Sequence, residues 1–110
     1  MPKRDEGVLV EDILAAIGKI KAYIAGLDFA TFASSPMVVD AVVRNLEVIG
    51  EAANRISEKR RERGTDIPWR EMIGLRNRII HEYFGVDVSI VWQIASKELD
   101  RVDANLRKLL

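Results

Sequence analysis

Apolar residues recur along this chain at intervals of three and four, the period of an α-helix packed on one side. Ile13, Ile17, Ile20 and Ile24 form one such stripe, and the spacing predicts a first helix from about Glu6 to Ala25. Gly26 ends it, as glycine commonly does just past a helix C-terminus. Leu27–Phe32 is a connector with room for one helical turn, and Phe29 and Phe32 are expected to plug the core. Ser34-Ser35-Pro36 is a helix start, with serine as the cap and proline in the first turn. Val38, Val42, Ile49, Ala53 and Ile56 then supply the buried face of a second long helix, predicted from Pro36 to about Arg63. Within it, Gly50-Glu51-Ala52-Ala53 is slight enough to admit a close neighbouring helix. Glu51 and Asn54 lie one turn apart there and face either a groove or solvent.

Arg63-Gly64-Thr65-Asp66-Ile67-Pro68 interrupts the pattern with glycine, a capping residue and proline. A third helix is predicted from Pro68 to Phe84-Gly85, with Trp69, Met72, Ile73, Arg76, Ile80 and Tyr83 on its inner side. Asp87 has the character of an N-cap, since a carboxylate there accepts amide hydrogen bonds and meets the positive helix end. Val91, Ile94, Leu99, Val102, Leu106 and Leu109 carry a last helix to the C-terminus. No stretch of alternating polarity is bounded as a hairpin, and no repeat or linker breaks the chain. The expected fold class is all-α, an up-and-down bundle of four main helices with room for a fifth short one, in one domain over residues 1–110.

Composition narrows the chemistry. At 48% apolar residues a packed core is expected, and at 110 residues oligomerisation often adds needed burial. The absence of cysteine removes disulfides, zinc–thiolate sites and thiol nucleophiles together. The polar start, Met1-Pro2-Lys3-Arg4-Asp5-Glu6, and the lack of an apolar run of ~20 residues point to a cytoplasmic protein without a membrane span. Seventeen basic residues balance seventeen acidic ones, which argues against a general nucleic-acid coat but allows a local basic patch. Lys59-Arg60-Arg61-Glu62-Arg63, with Arg70, Arg76 and Arg78 after it, is either such a patch or a solvated helix end.

The densest chemistry lies in Gly74–Gly85, which holds the single histidine, His81, beside Arg76, Asn77, Arg78 and Tyr83. On a regular helix of about 100° per residue, Asn77 and His81 share a face, and Arg76 nearly overlays Tyr83. Arg76 and His81, five apart, then point about 140° from one another. Arg76 on an apolar face must snorkel, pair or serve a purpose. Two readings stand at this point. In one, Arg76 pairs with a carboxylate of a neighbouring helix, His81 caps a helix end and the aromatics fill the core. In the other, the stretch cleaves phosphodiesters without a metal. Histidine exchanges a proton near neutral pH, arginine offers a donor fork to phosphate oxygens, and asparagine orients either one. RNA is then the natural substrate, because its 2′-hydroxyl serves as nucleophile. One histidine per chain leaves either the base or the acid missing, which a twofold dimer would supply; such a dimer would also bury the face carrying Arg76. No carboxylate–histidine cluster suggests a metal, and no strand–glycine loop–helix pattern suggests a nucleotide cofactor.

"RNRIIHEY", Arg76 through Tyr83, resembles the arginine–four residues–histidine–any–tyrosine motif of HepT-like toxins in the HEPN superfamily. "RNLEVIGEAANRIS" (Arg44–Ser57) is similar to that family's second long helix, and "IPWREMIGLRNRIIHEYFGVD" (Ile67–Asp87) to its motif helix and following turn. The resemblance spans about Val8 to Leu106 and implies a helical HEPN domain, usually a homodimer. It further implies a metal-independent endoribonuclease, the toxin of a toxin–antitoxin pair, with no cofactor. The implied partner is a nucleotidyltransferase antitoxin of the MNT type. Carried over by position, Arg76 and His81 are the catalytic pair, Asn77 supports the site, and Tyr83 is the tyrosine that such antitoxins modify with AMP. Arg70 and Arg78 are candidates for RNA contact. The alternative is a non-catalytic helical subunit that binds a nucleotide or partner within a nucleotidyltransferase complex.

Overall fold

The computed structural model describes residues 5–81 and 85–110, and of His81 the backbone alone. The first helix, α1 (Glu6–Ile24), begins where the Asp5 carboxylate accepts the Gly7 amide. It ends before Gly26, whose φ of 76° lies in the left-handed region. α2 (Phe29–Ala33) is the expected single turn, capped by Asp28 through the Thr31 amide. α3 (Pro36–Arg55) is the second long helix, and it runs along α1 as the most extensive helix pair of the molecule.

Helix boundaries depart from expectation in two places. α3 stops at Arg55 rather than near Arg63, because Ile56 turns extended and Ser57 caps a separate short helix, α4 (Glu58–Arg61). Three hydrogen bonds hold that break: Glu6 of α1 accepts the Ser57 amide, and the Arg61 guanidinium donates to the Ala53 and Asn54 carbonyls. The anticipated third helix is also divided and shorter. α5 (Trp69–Ile73) and α6 (Leu75–Ile79) flank Gly74, and the chain then turns extended into β1 (Ile80–His81). β1 pairs antiparallel with β2 (Gly85–Val86), Ile80 opposite Val86 and His81 opposite Gly85.

The expected cap at the start of α3 sits at Ser35, but its side chain makes no capping hydrogen bond, and the Ser34 hydroxyl turns back to the Thr31 carbonyl. Asp87 does cap the last helix, accepting the Ile90 amide. That helix runs as α7 (Val88–Gln93), a π-helical turn (Ile94–Glu98) and α8 (Leu99–Arg107). Ile94 and Leu99 are both buried although they stand five apart. An α-helix would turn the second about 140° away from the first, and the wider i→i+5 turn brings both inward.

The core is assembled largely as the periodicity anticipates, with Ile24 and Val38, at the margins of their stripes, only partly buried. Ile13, Ile17, Ile20, Val42, Ile49, Ala53, Ile56, Val91, Ile94, Leu99, Val102, Leu106 and Leu109 are buried. Phe32 is fully buried against Trp92, ring centroids 5.0 Å apart, whereas Phe29 is 43% exposed and so does not plug the core as expected. The result is an all-α bundle in which α1, α3, the α5–α6 pair and the last helix are the main bodies. No helix among the described residues is long and apolar enough to cross a membrane.

Candidate active site

Gly50 fixes the position of the motif segment. A side chain there would place its Cβ 3.0 Å from the Met72 carbonyl oxygen and 3.6 Å from that of Ile73. With no Cβ, α3 and α5 approach a few tenths of an ångström closer than a side chain at this position would allow. The slight stretch read around Gly50 therefore does admit a neighbour. α5 and α6 bury Met72, Leu75 and Ile79 against the core, while Trp69 donates its indole N–H to the Arg61 and Gly64 carbonyls.

This packing leaves a cleft of about 210 Å³ between α3 and α5–α6. Leu46, Glu47, Gly50, Glu51 and Asn54 line it from α3, and Ile73 and Arg76 from the other side. Arg76 is exposed at this cleft and is not embedded in an apolar face. The inner side drawn from a single regular helix was displaced: Leu75 and Ile79 take the inward direction, and Arg76 sits on the rim. Among the described residues no carboxylate lies within 4 Å of the Arg76 guanidinium, so the expected pairing with a neighbouring helix is not formed there.

The end of α6 changes the geometry of the motif. The Ile80 amide still donates to the Arg76 carbonyl, yet Ile80 itself is extended at φ −108° and ψ 123°. The Asp87 amide donates to the Ile79 carbonyl at 2.7 Å, satisfying a group that the broken helix leaves open. Ile80 is β-branched and favours the pleated pairing with Val86. Gly85, at φ 72°, supplies the left-handed residue that this return requires. His81 thus stands on a strand. The shared face of Asn77 and His81, and the 140° separation of Arg76 and His81, both assumed an unbroken helix, whereas α6 ends at Ile79.

The remaining candidates are dispersed. Asn77 is exposed on α6 and Arg70 exposed on α5. Arg78 is half-buried, with both terminal nitrogens on the Glu98 carboxylate at 2.9 and 2.8 Å. That pairing holds the Arg78 guanidinium above its ordinary range and commits its donor fork within the fold. Tyr83 lies outside the described residues. Among the described residues no group of three or more His, Cys, Asp or Glu converges as a metal site.

Two residues escaped the sequence reading. Glu47 lines the cleft beside Glu51; its signal was the spacing of four from Glu51 and three from Gly50 on one helix face. Glu98 reaches Arg78 from the π-helical turn, and the five-residue step from Ile94 to Leu99 was its only trace.

Comparison with known proteins decides the family. A family model described as ribonuclease HepT-like matches residues 13–109. The chain belongs to the HepT-like ribonuclease family. Among its HepT-like relatives, a protein of Methanocaldococcus jannaschii named as a candidate RNase is 37% identical over 102 residues, 93% of this chain and 94% of its own. A candidate RNase of Caldanaerobacter subterraneus subsp. tengcongensis is 35% identical over 101 residues, covering 92% and 90%. A Thermococcus cleftensis protein bearing the ribonuclease HepT name is 36% identical over 107 residues, 97% of each chain. No solved structure matches the chain.

Proposed function

We propose that this protein is an endoribonuclease, the toxin of a toxin–antitoxin pair, in which Arg76 and His81 act on an RNA phosphodiester. The observation that carries the reading is Arg76: a guanidinium at the rim of a cleft, without a carboxylate partner among the described residues, in a chain that belongs to a ribonuclease family.

In this mechanism the 2′-oxygen attacks the adjacent phosphorus as a base takes its proton. The bond to the 5′-oxygen breaks, an acid returns a proton to that oxygen, and a 2′,3′-cyclic phosphate remains. His81 fills one proton-transfer role, and Arg76 stabilises the charge that gathers on the phosphoryl oxygens. The second proton-transfer group comes from His81 of a second copy in a homodimer. Asn77, exposed one residue from Arg76, orients the phosphate or the guanidinium, and Arg70 flanks the RNA path, while Arg78, its fork held by Glu98, adds only its charge beside it. No metal enters these steps. The partner is a nucleotidyltransferase antitoxin of the MNT type in the cytoplasm, which attaches AMP to Tyr83. That adds bulk and negative charge two residues from His81 and repels an RNA phosphate.

The deciding experiment is growth arrest on induction. Wild type arrests growth, whereas His81→Ala and Arg76→Ala do not, both variants remaining folded. Purified wild type cleaves RNA in the presence of a chelator. A His81→Ala protein as toxic as wild type overturns the nuclease assignment, and loss of cleavage in chelator overturns the metal-free mechanism. Tyr83→Phe stays toxic and escapes the antitoxin; if the antitoxin still silences it, Tyr83 is not the acceptor.

A further inference from the structure

The cleft beside Arg76 has the wrong charge for a phosphate-binding groove. Its α3 wall presents Glu47 and Glu51, four apart and one above the other, with Asn54 a turn further on. Leu46 and Ile73 supply apolar surface to the same cleft. Two carboxylates against one guanidinium repel an RNA backbone from the α3 side and confine the phosphate to the Arg76 rim. Among the described residues the side chains of Glu47, Glu51, Asn54 and Arg76 make no hydrogen bond or ion pair with one another or with the rest of the fold. Two carboxylates, one side-chain amide and the Arg76 guanidinium thus line one cleft with their valences open among the described residues. With the Arg76 guanidinium turned to the phosphate, the two carboxylates call for a group that offers paired N–H donors.

We propose that this cleft is a base-specificity subsite that selects guanine next to the phosphate held by Arg76, an inference that rests on the ribonuclease reading for that phosphate. The chemistry of the base edges makes the choice. Guanine offers two parallel donors, N1–H and the N2 amino group, which match the two oxygens of one carboxylate. Neighbouring O6 accepts from an amide such as that of Asn54. Adenine and cytosine each set one donor beside a bare ring nitrogen, and uracil sets its single donor between two carbonyl oxygens; each leaves a carboxylate oxygen facing a lone pair. The Leu46 and Ile73 side chains give the ring faces an apolar bed, and a volume of about 210 Å³ admits one base. A site built around a hydrogen-bonded pair of groups rejects an analogue that lacks one of them more sharply than an apolar pocket rejects a change of size.

The test uses full-length protein and short RNAs methylated at the 2′-oxygen, so that binding is read without cleavage. The oligonucleotides differ at one position, carrying guanosine, inosine, which lacks the N2 amino group, or adenosine. Wild type is expected to bind the guanosine strand about tenfold more tightly than the inosine strand, the worth of one hydrogen bond to a charged acceptor. Glu51→Gln, Glu47→Gln or the double variant, shown folded by circular dichroism, is expected to bring that ratio within about twofold, and the variant that does so names the acceptor. Equal affinity of wild type for all three strands, including the case of a second copy covering the cleft, overturns the proposal. So does a guanosine preference that survives in the double variant. Cleavage of the unmethylated strands separates the two readings. A protein that prefers guanosine yet cuts nothing keeps the subsite and loses the ribonuclease, and one that cuts every strand alike keeps the ribonuclease and loses the subsite.

Discussion

The Arg78 guanidinium grips the Glu98 carboxylate with both terminal nitrogens, at 2.9 Å from Oε1 and 2.8 Å from Oε2. The contact ties the motif helix to the π-helical turn of the last helix, and it sits two residues from Arg76. Both side chains are more than a third exposed, so the pair is worth less than its bidentate geometry suggests. Glu98→Ala is expected to lower stability by about 1 kcal/mol in urea unfolding. The same variant frees the Arg78 fork and loosens α6, so RNA cleavage should fall further than stability does.

Gly50 poses a balance of opposing effects. Alanine there gains about 1 kcal/mol of helix propensity but sets its Cβ 3.0 Å from the Met72 carbonyl oxygen. Gly50→Ala should therefore unfold near the wild-type denaturant midpoint while displacing α5 from α3 and reducing cleavage. Gly50→Val loses the propensity gain and overpacks the same contact, and is expected to cost about 1–3 kcal/mol of stability. A valine variant as stable and active as wild type would mean that the two helices are free to separate.

Glu6 couples folding to pH. Its carboxylate accepts the Ser57 amide, and this hydrogen bond holds its pKa below the ordinary glutamate value of 4.5. A depressed folded-state pKa stabilises the fold above the unfolded-state pKa, and that stabilisation fades as pH falls through the folded value. Wild type should thus be more stable than Glu6→Gln at neutral pH, with the gap closing below about pH 4.5. Thermal melts of both proteins from pH 7 to pH 3 check the sign; a gap that widens on acidification is the contrary result.

Arg76→Lys keeps the charge and removes the planar fork. If Arg76 stabilises a phosphoryl transition state, the lysine variant should fold normally and lose on the order of 10²-fold in cleavage rate. Because Arg76 is exposed and makes no ion pair among the described residues, its melting midpoint should match wild type. An active lysine variant would reduce Arg76 to a point charge on the RNA path.

Periodicity alone determined the bundle. The stripes of α1 and α3 and of the last helix are long and amphipathic, and Asp5 and Asp87 cap the first and the last, so local preference and core burial point the same way. Gly26, Asp87 and the slight residues around Gly50 acted as the sequence suggested. The motif itself, "RNRIIHEY", was legible as letters and carried the family. What the sequence did not determine was how the motif is presented. Helical spacing put Arg76 inward and ran the helix past His81. In the fold, Gly50 sets how close α5 lies, Leu75 and Ile79 take the buried direction, and pairing of Ile80 with Val86 outcompetes another helical turn. Each of these depends on a partner beyond the reach of helical spacing, whether Met72 against Gly50, Glu98 against Arg78 or Asp87 against Ile79. A one-dimensional pattern records which faces are apolar, but a short helix of marginal intrinsic stability ends where tertiary contacts satisfy its open carbonyls.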